Sequence, residues 1–134
     1  MNQPILKTIN GNVATLTLNR PKAFNSFNRE MALLFQDELK ACNEDESIRA
    51  ILITGEGKAF CAGQDLKEVT TPDLNPGFKK ILEEHYNPII ELIRNIELTR
   101  ILFKEKLEAL DQEQAFERGH ALVVEWVEFE RWVS

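Results

Sequence analysis

The stretch from Arg49 to Val69 (RAILITGEGKAFCAGQDLKEV) constrains the fold of this chain more than any other. Ala50-Ile51-Leu52-Ile53 is a short apolar, β-rich run of the kind that forms a strand buried on both faces. Glycines at 55, 57 and 63 then let the backbone turn sharply and approach something closely. Asp65 is placed to cap a short helix over Leu66 to Val69, leaving the N–H groups of Gln64, Asp65 and Leu66 pointing out of its N-terminus. A strand, a small-residue loop and a helix start together make a site for an anion or a developing oxyanion. The plainer reading of the same residues is a tight strand-to-helix turn capped by Asp65.

The chain before this stretch alternates. Pro4 to Ile9 and Val13 to Leu18 flank Asn10-Gly11-Asn12, and Asn-Gly between two β-rich runs predicts a hairpin. Ala14, Leu16 and Leu18 alternate with Thr15 and Thr17, so the second strand buries one face. Asn19-Arg20-Pro21 ends it, because proline cannot donate to a ladder. The loop Lys22 to Phe27 leads to a helix capped near Ser26 or Asn28, whose buried face is Met31, Leu34, Phe35, Leu39 and Cys42. Asn43-Glu44-Asp45-Glu46 is an acidic exit from that helix.

After the central stretch, Thr70 to Gly77 has no periodicity and reads as a mobile loop. Helical spacing returns with Ile81, Leu82, His85, Ile89, Leu92, Ile93 and Ile96, and Pro88 inside that run kinks the helix or restarts it at Asn87. From Leu98 the pattern stays helical to about Arg118. Gly119 breaks it, and a second apolar helix follows over Ala121 to Val133 with Trp126, Phe129 and Trp132. These two apolar segments predict packing on the sheet or on another copy of the chain.

With 134 residues the chain is long enough for one domain with a sizeable core. A formal charge of −6 argues against a nucleic-acid surface, since phosphate neutralisation needs clustered Lys and Arg. No apolar run approaches the ~18 residues that span a bilayer. The N-terminus lacks the basic and apolar regions of a secretory signal. Cys42 and Cys61 make neither a disulfide framework nor a metal site, and a reduced, cytoplasmic protein is the expectation. Gly55-Glu-Gly57-Lys58 lacks the spacing and the Ser/Thr of a phosphate-binding loop, which leaves no case for a nucleotide hydrolase.

Lys58-Ala-Phe-Cys-Ala-Gly-Gln-Asp-Leu66 resembles the Lys-x-Phe-x-x-Gly-x-Asp-Leu/Ile signature of the crotonase (enoyl-CoA hydratase/isomerase) superfamily. Asn19-Arg20-Pro21-Lys22-Ala23-Phe24-Asn25 resembles its upstream Asn-Arg-Pro…Asn motif, at a similar distance. The wording is most similar to phenylacetate-pathway isomerases and short-chain enoyl-CoA hydratases, a setting of fatty-acid and phenylacetate breakdown. The resemblance covers roughly residues 5 to 97. It implies an α/β fold, a partial crotonase-like ββα spiral over 1–97 followed by a C-terminal helical segment over 98–134. It also implies an acyl-CoA thioester as substrate, no resident cofactor and no metal. The Gln64 N–H would donate to the thioester oxygen as half of an oxyanion hole. Lys22, Ala23, Phe24, Lys58, Ala62, Gly63, Gln64, Asp65 and Leu66 would line the coenzyme A site, with Asp65 and Leu66 setting the loop geometry. Solvated surface lysines are the plain alternative for Lys22 and Lys58.

The same resemblance marks a departure. Family members are about twice this length. After Glu97 they continue into Lys-Pro-Val-Ile-Ala-Ala-Val-Asn-Gly, a glycine-rich loop and catalytic carboxylates, which supply the second oxyanion donor and the acid/base groups. None of these follows here, and losing one oxyanion donor costs other enzymes ~3 kcal/mol of transition-state stabilisation. Nothing in the spacing of Glu105, Glu108 or Glu113 marks a replacement. Leu107 to Glu117 resembles the family's C-terminal helices, which cover the site and mediate oligomers, so a homo-oligomer with exchanged C-terminal helices is expected. Cys61 has no nearby His to activate it and reads as a small residue packed under the loop. His85 reads as structural or exposed, and Glu83-Glu84 as a solvated face. Three functions stay open: a hydratase (a lyase) or an isomerase with a substitute carboxylate, a non-catalytic acyl-CoA binder, and an oligomerising fragment with neither turnover nor binding.

Overall fold

The computed structural model describes residues 3–96 and 100–103. Strands β1 (Ile5–Asn10) and β2 (Val13–Leu18) form the expected hairpin, with Asn10 opposite Val13 and Gly11 at φ +61° in the turn. A 3₁₀ turn (Pro21–Ala23) and helix α1 (Arg29–Glu44) follow, and the chain returns as β3 (Ala50–Gly55), parallel to β2. Parallel neighbours need such a crossover, and α1 is it.

Helix α1 begins where its sequence says it should. The Asn28 side chain caps it by accepting the Met31 N–H at 3.0 Å. Its inner face carries Met31, Phe35, Leu39 and Cys42 as expected, and also Ala32 and Gln36, while Leu34 lies at the margin of the core. Apart from Gln36, these side chains meet Ala14, Leu16 and Leu18 of β2 and Ile51 and Ile53 of β3 in one apolar cluster. Phe27 and Phe35 pack edge to face with ring centres 5.8 Å apart. The expectation that β3 is buried on both faces is corrected. Ile51, Ile53 and Gly55 are buried, whereas Ala50, Leu52 and Thr54 are half-buried, because α1 covers one side of the sheet.

Helix α2 (Leu66–Thr70) is short, and the loop after it is tied by Asn75, whose side chain donates to the Val69 carbonyl and accepts from the Gly77 N–H, both at 2.9 Å. The next helical run divides into α3 (Phe78–Lys80), a wide π-helical segment (Ile81–Tyr86) and α4 (Asn87–Asn95). Pro88 sits in the first turn of α4, so the restart at Asn87 is observed, directly after the π turn.

One expected element is overturned. Arg100–Phe103, read from sequence as part of a helix running to Arg118, is strand β4, parallel to β3 with Ile51 opposite Ile101. The sheet order is β1-β2-β3-β4. The apolar run Ile101-Leu102-Phe103 suits helix or strand, and an available β3 edge decides it. The sheet therefore continues across the boundary expected near residue 97. The remaining helices expected between 104 and 134, Gly119, His120 and the glutamates at 105, 108 and 113 lie outside the described residues. Among the described residues no helix is long and apolar enough to cross a membrane.

Candidate oxyanion and acyl-CoA site

Because β2 and β3 are parallel, their C-terminal ends lie at one edge of the sheet, and the loops leaving them meet there. Asn25 joins the two. It is fully buried at φ +56°, its Oδ1 accepts the Arg20 N–H, and its Nδ2 donates to the Glu56 and Ala59 carbonyls, each at 2.8 Å. The Ala62 N–H adds a bond to the Phe24 carbonyl at 3.0 Å. The glycines serve this contact. A Cβ at Gly55 would lie 2.6 Å from the Ala59 and Phe60 carbonyl oxygens, and one at Gly57 would lie 2.8 Å from Pro21 Cβ. Gly57 thus approaches the other loop, Gly55 is crowded by its own loop's carbonyls and by Asn25 Nδ2 at 2.9 Å, and Gly63, expected to approach something closely, has nothing within 4 Å.

The geometry at Gln64 follows from its peptide neighbours. The Phe27 N–H donates to the Gly63 carbonyl at 2.7 Å, and the Asp65 N–H donates to the Phe27 carbonyl at 2.8 Å, a one-rung parallel bridge between Phe27 and Gln64. In a trans peptide the C=O and N–H point opposite ways. Pinning the Gly63 carbonyl onto Phe27 therefore aims the Gln64 N–H away from Phe27, and among the described residues it has no acceptor. Gly63 reaches this arrangement at φ +108°. One expectation is corrected here: the Asp65 N–H is not free, since Phe27 holds it.

Asp65 is a cap, as expected. Its Oδ1 accepts the Lys67 N–H at 2.9 Å, and its Oδ2 pairs with Arg20 Nη2 at 2.7 Å. Burial opposes its charge, but the Arg20 guanidinium and the Lys67 N–H outweigh it and hold the carboxyl below the usual carboxylate range. Arg20 also donates to the Ser26 carbonyl, so one guanidinium ties the first motif to the second.

The Gln64 side chain lies in a polar cluster that the sequence did not disclose. Its Oε1 accepts from Tyr86 Oη at 2.6 Å, and its Nε2 donates to Glu68 Oε1 at 3.2 Å and to the Asp65 carbonyl at 3.3 Å. Glu68 Oε2 accepts the Arg29 N–H at 2.8 Å. The Arg29 side chain pairs with Glu84 and lies 3.3 Å from His85 Nε2. Burial raises the Tyr86 hydroxyl to about 12, with the nearby Cys61 and Glu68 adding to it. Burial lowers His85 below its ordinary value; Glu68 opposes this and Arg29 reinforces it. Of the two readings of His85 the buried, structural one is correct, at 1% exposure. Glu84, expected as solvated, is paired.

The structure brings the other expected residues to the same edge of the sheet. Lys22, Lys58, Ala62 and Gly63 are exposed and Ala23 is half-buried. Phe24 and Leu66 are apolar yet 56% and 71% exposed. Cys61 is half-buried against the core, as expected of a packed small residue. Sequence reasoning missed Asn25, Arg20, Glu68 and Tyr86 as site residues. Glu68 was within reach, lying in the short helix that starts two residues after Gln64, whereas nothing local points to Tyr86. Among the described residues no group of three His, Cys, Asp or Glu side chains is placed to hold a metal.

Two interlocked loops with an outward N–H between them thus stand at one edge of the sheet. The enoyl-CoA hydratase/isomerase family profile matches residues 8–101, and the chain belongs to that family. It is 39% identical over 94 residues to the 1,2-epoxyphenylacetyl-CoA isomerase of Escherichia coli strain K12, covering 69% of this chain and 36% of the relative. The crystal structure of an enoyl-CoA hydratase from Mycobacterium smegmatis superposes with a TM-score of 0.71 at 30% identity, over 78% of this chain and 40% of that one. An enoyl-CoA hydratase/isomerase from Pseudoalteromonas atlantica T6c gives a TM-score of 0.60 at 32% identity, over 75% of this chain and 38% of that one. The chain thus spans about two fifths of the length of these relatives.

Proposed function

We propose that this chain binds acyl-CoA thioesters and stabilises negative charge on the thioester oxygen, as in hydration or double-bond isomerisation of enoyl-CoA. The observation that carries this reading is the Gln64 N–H, turned outward by the Phe27 bridge and without an acceptor among the described residues. A backbone donor fixed in advance is the element that stabilises a developing oxyanion without reorganisation. Lys22 and Lys58 are exposed cations able to meet phosphates of coenzyme A as point charges. Phe24, Ala62 and Leu66 offer surface beside them. Coenzyme A enters as part of the substrate, not as a resident cofactor. We further propose a cytoplasmic protein that acts as a homo-oligomer.

A second reading, a binder without turnover, is supported by the sequence itself: after Gly77 the only glycine is Gly119, so this chain carries no second glycine loop to provide the other donor. One assay separates the readings. The chain is incubated with a short 2-enoyl-CoA while loss of the conjugated thioester absorbance is followed, and coenzyme A ester binding is measured by calorimetry. Turnover lost in Gly63→Ala, where a side chain is strained at φ +108°, supports the enzyme. Binding without turnover supports the binder. Neither binding nor turnover defeats both.

A further inference from the structure

We propose that Tyr86 and Glu68 are positioning residues that lock Gln64, and with it the orientation of the outward N–H, onto two helical segments. The proposal rests on the acyl-CoA reading above. Backbone bonds to Phe27 fix one side of this loop, but its other side is open: Gly63 has nothing within 4 Å of the place a Cβ would take, and φ there is +108°. A glycine in open space is where such a loop can swing. The Gln64 side chain closes that freedom from the far side.

The amide is gripped at both ends by groups that suit them. Glu68, a carboxylate, accepts only, so the amide atom 3.2 Å from it is the NH₂ and the other is the oxygen. Tyr86 must then donate its hydroxyl proton to Gln64 Oε1, at 2.6 Å. Each anchor is itself fixed. Glu68 Oε2 takes the Arg29 N–H, in the first turn of α1, at 2.8 Å. The Tyr86 ring packs on Phe27 with centres 6.3 Å apart, and it ends the π-helical segment just before Pro88. Phe27 is also the residue whose N–H and C=O pin the peptides on either side of Gln64. The ring contact and the hydroxyl thus hold the same loop from two directions.

The test compares a short acyl-CoA with the corresponding S-alkyl-CoA thioether, which keeps coenzyme A and lacks the carbonyl. Dissociation constants for both are measured with the wild-type chain, Tyr86→Phe and Glu68→Gln, each checked for folding by circular dichroism. The thioether's constant divided by that of the acyl-CoA reports what the carbonyl contributes. Tyr86→Phe keeps the ring and loses only the donor, and we expect the ratio to fall about three- to tenfold while thioether binding changes less than twofold. Glu68→Gln replaces one acceptor oxygen by an amide and is expected to shift the ratio in the same direction by less. Ile48→Val, a core truncation between α1 and β3 at the opposite end of the sheet, should lower the melting temperature and leave the ratio alone. A wild-type ratio near one, or no binding, overturns the acyl-CoA reading and this proposal with it. A clear wild-type ratio that survives both Tyr86→Phe and Glu68→Gln overturns the positioning role and leaves the acyl-CoA reading standing.

Discussion

Asn25 shows what a single side chain contributes at this edge of the sheet. It satisfies a backbone N–H and two carbonyls with no exposure to water, from a left-handed backbone conformation that asparagine tolerates better than most residues. Asn25→Gly keeps that conformation available while removing all three bonds, so its effect measures the bonds and the space they fill. We expect a loss of about 3 kcal/mol, because each buried polar group left without a partner costs roughly 1–3 kcal/mol. Asn25→Asp is expected to lose at least as much, since a carboxylate would face two carbonyl oxygens. Denaturant midpoints at neutral pH decide it; a shift worth less than ~0.5 kcal/mol for both variants, the range of ordinary surface changes, defeats the account. The position of Asn25 was legible, as the last residue of a quoted motif, but its role was not. The partners Glu56 and Ala59 lie 31 and 34 residues away, and they bond through backbone atoms that carry no sequence signature.

At the scale of elements, legibility followed periodicity. Helix α1 and the β1–β2 hairpin are where alternation, caps and turn residues placed them, because local preference and burial agree there. Pro88 marked a break, yet the form of the break, a π turn, depends on what it must bury. The wide turn carries His85 inward, toward Arg29 and Gln36, and leaves Tyr86 against Gln64. The same turn has a consequence for pH. Around His85 stand Glu68, Glu84 and Arg29, and burial, the largest influence, holds its folded value below the ordinary 6.5. As pH falls through 6.5 the unfolded chain takes up the proton first, so stability declines from there down to the lower folded value and levels off beyond it. Above about pH 7 both states are neutral at this site and no slope arises from it. Melting temperatures of the wild type should therefore fall between pH 6.5 and the acid plateau. His85→Asn should show a flatter profile over that interval, whatever its absolute stability. Parallel profiles for the two proteins would remove His85 as the source.

For the molecule as a whole, the question is what covers its edges. The described sheet ends at β4, whose outer side has no strand partner among the described residues, and an unpaired parallel strand is a template for another chain. The apolar surface points the same way. Phe78 and Leu82, one helical turn apart, are 78% and 51% exposed, and Leu74 just before them is 61% exposed. From sequence alone, self-association was expected from the apolar residues beyond Phe103, which lie outside the described residues. The described part supplies its own reason, one that depends on tertiary structure and was therefore hidden in the pattern. Burying a Phe or Leu side chain is worth roughly 1.5–3 kcal/mol, and a contact between copies through this face would draw on that. We expect sedimentation velocity to show dimers or larger species, and Phe78→Glu with Leu82→Glu to weaken the association at least tenfold while far-ultraviolet circular dichroism stays unchanged. Association that persists in the double variant would move the contact to the β4 edge, where a proline at Leu102 is the corresponding probe. A wild-type chain that stays monomeric to about 100 μM, well above the concentrations at which specific complexes form, would mean that these faces are covered within the chain itself.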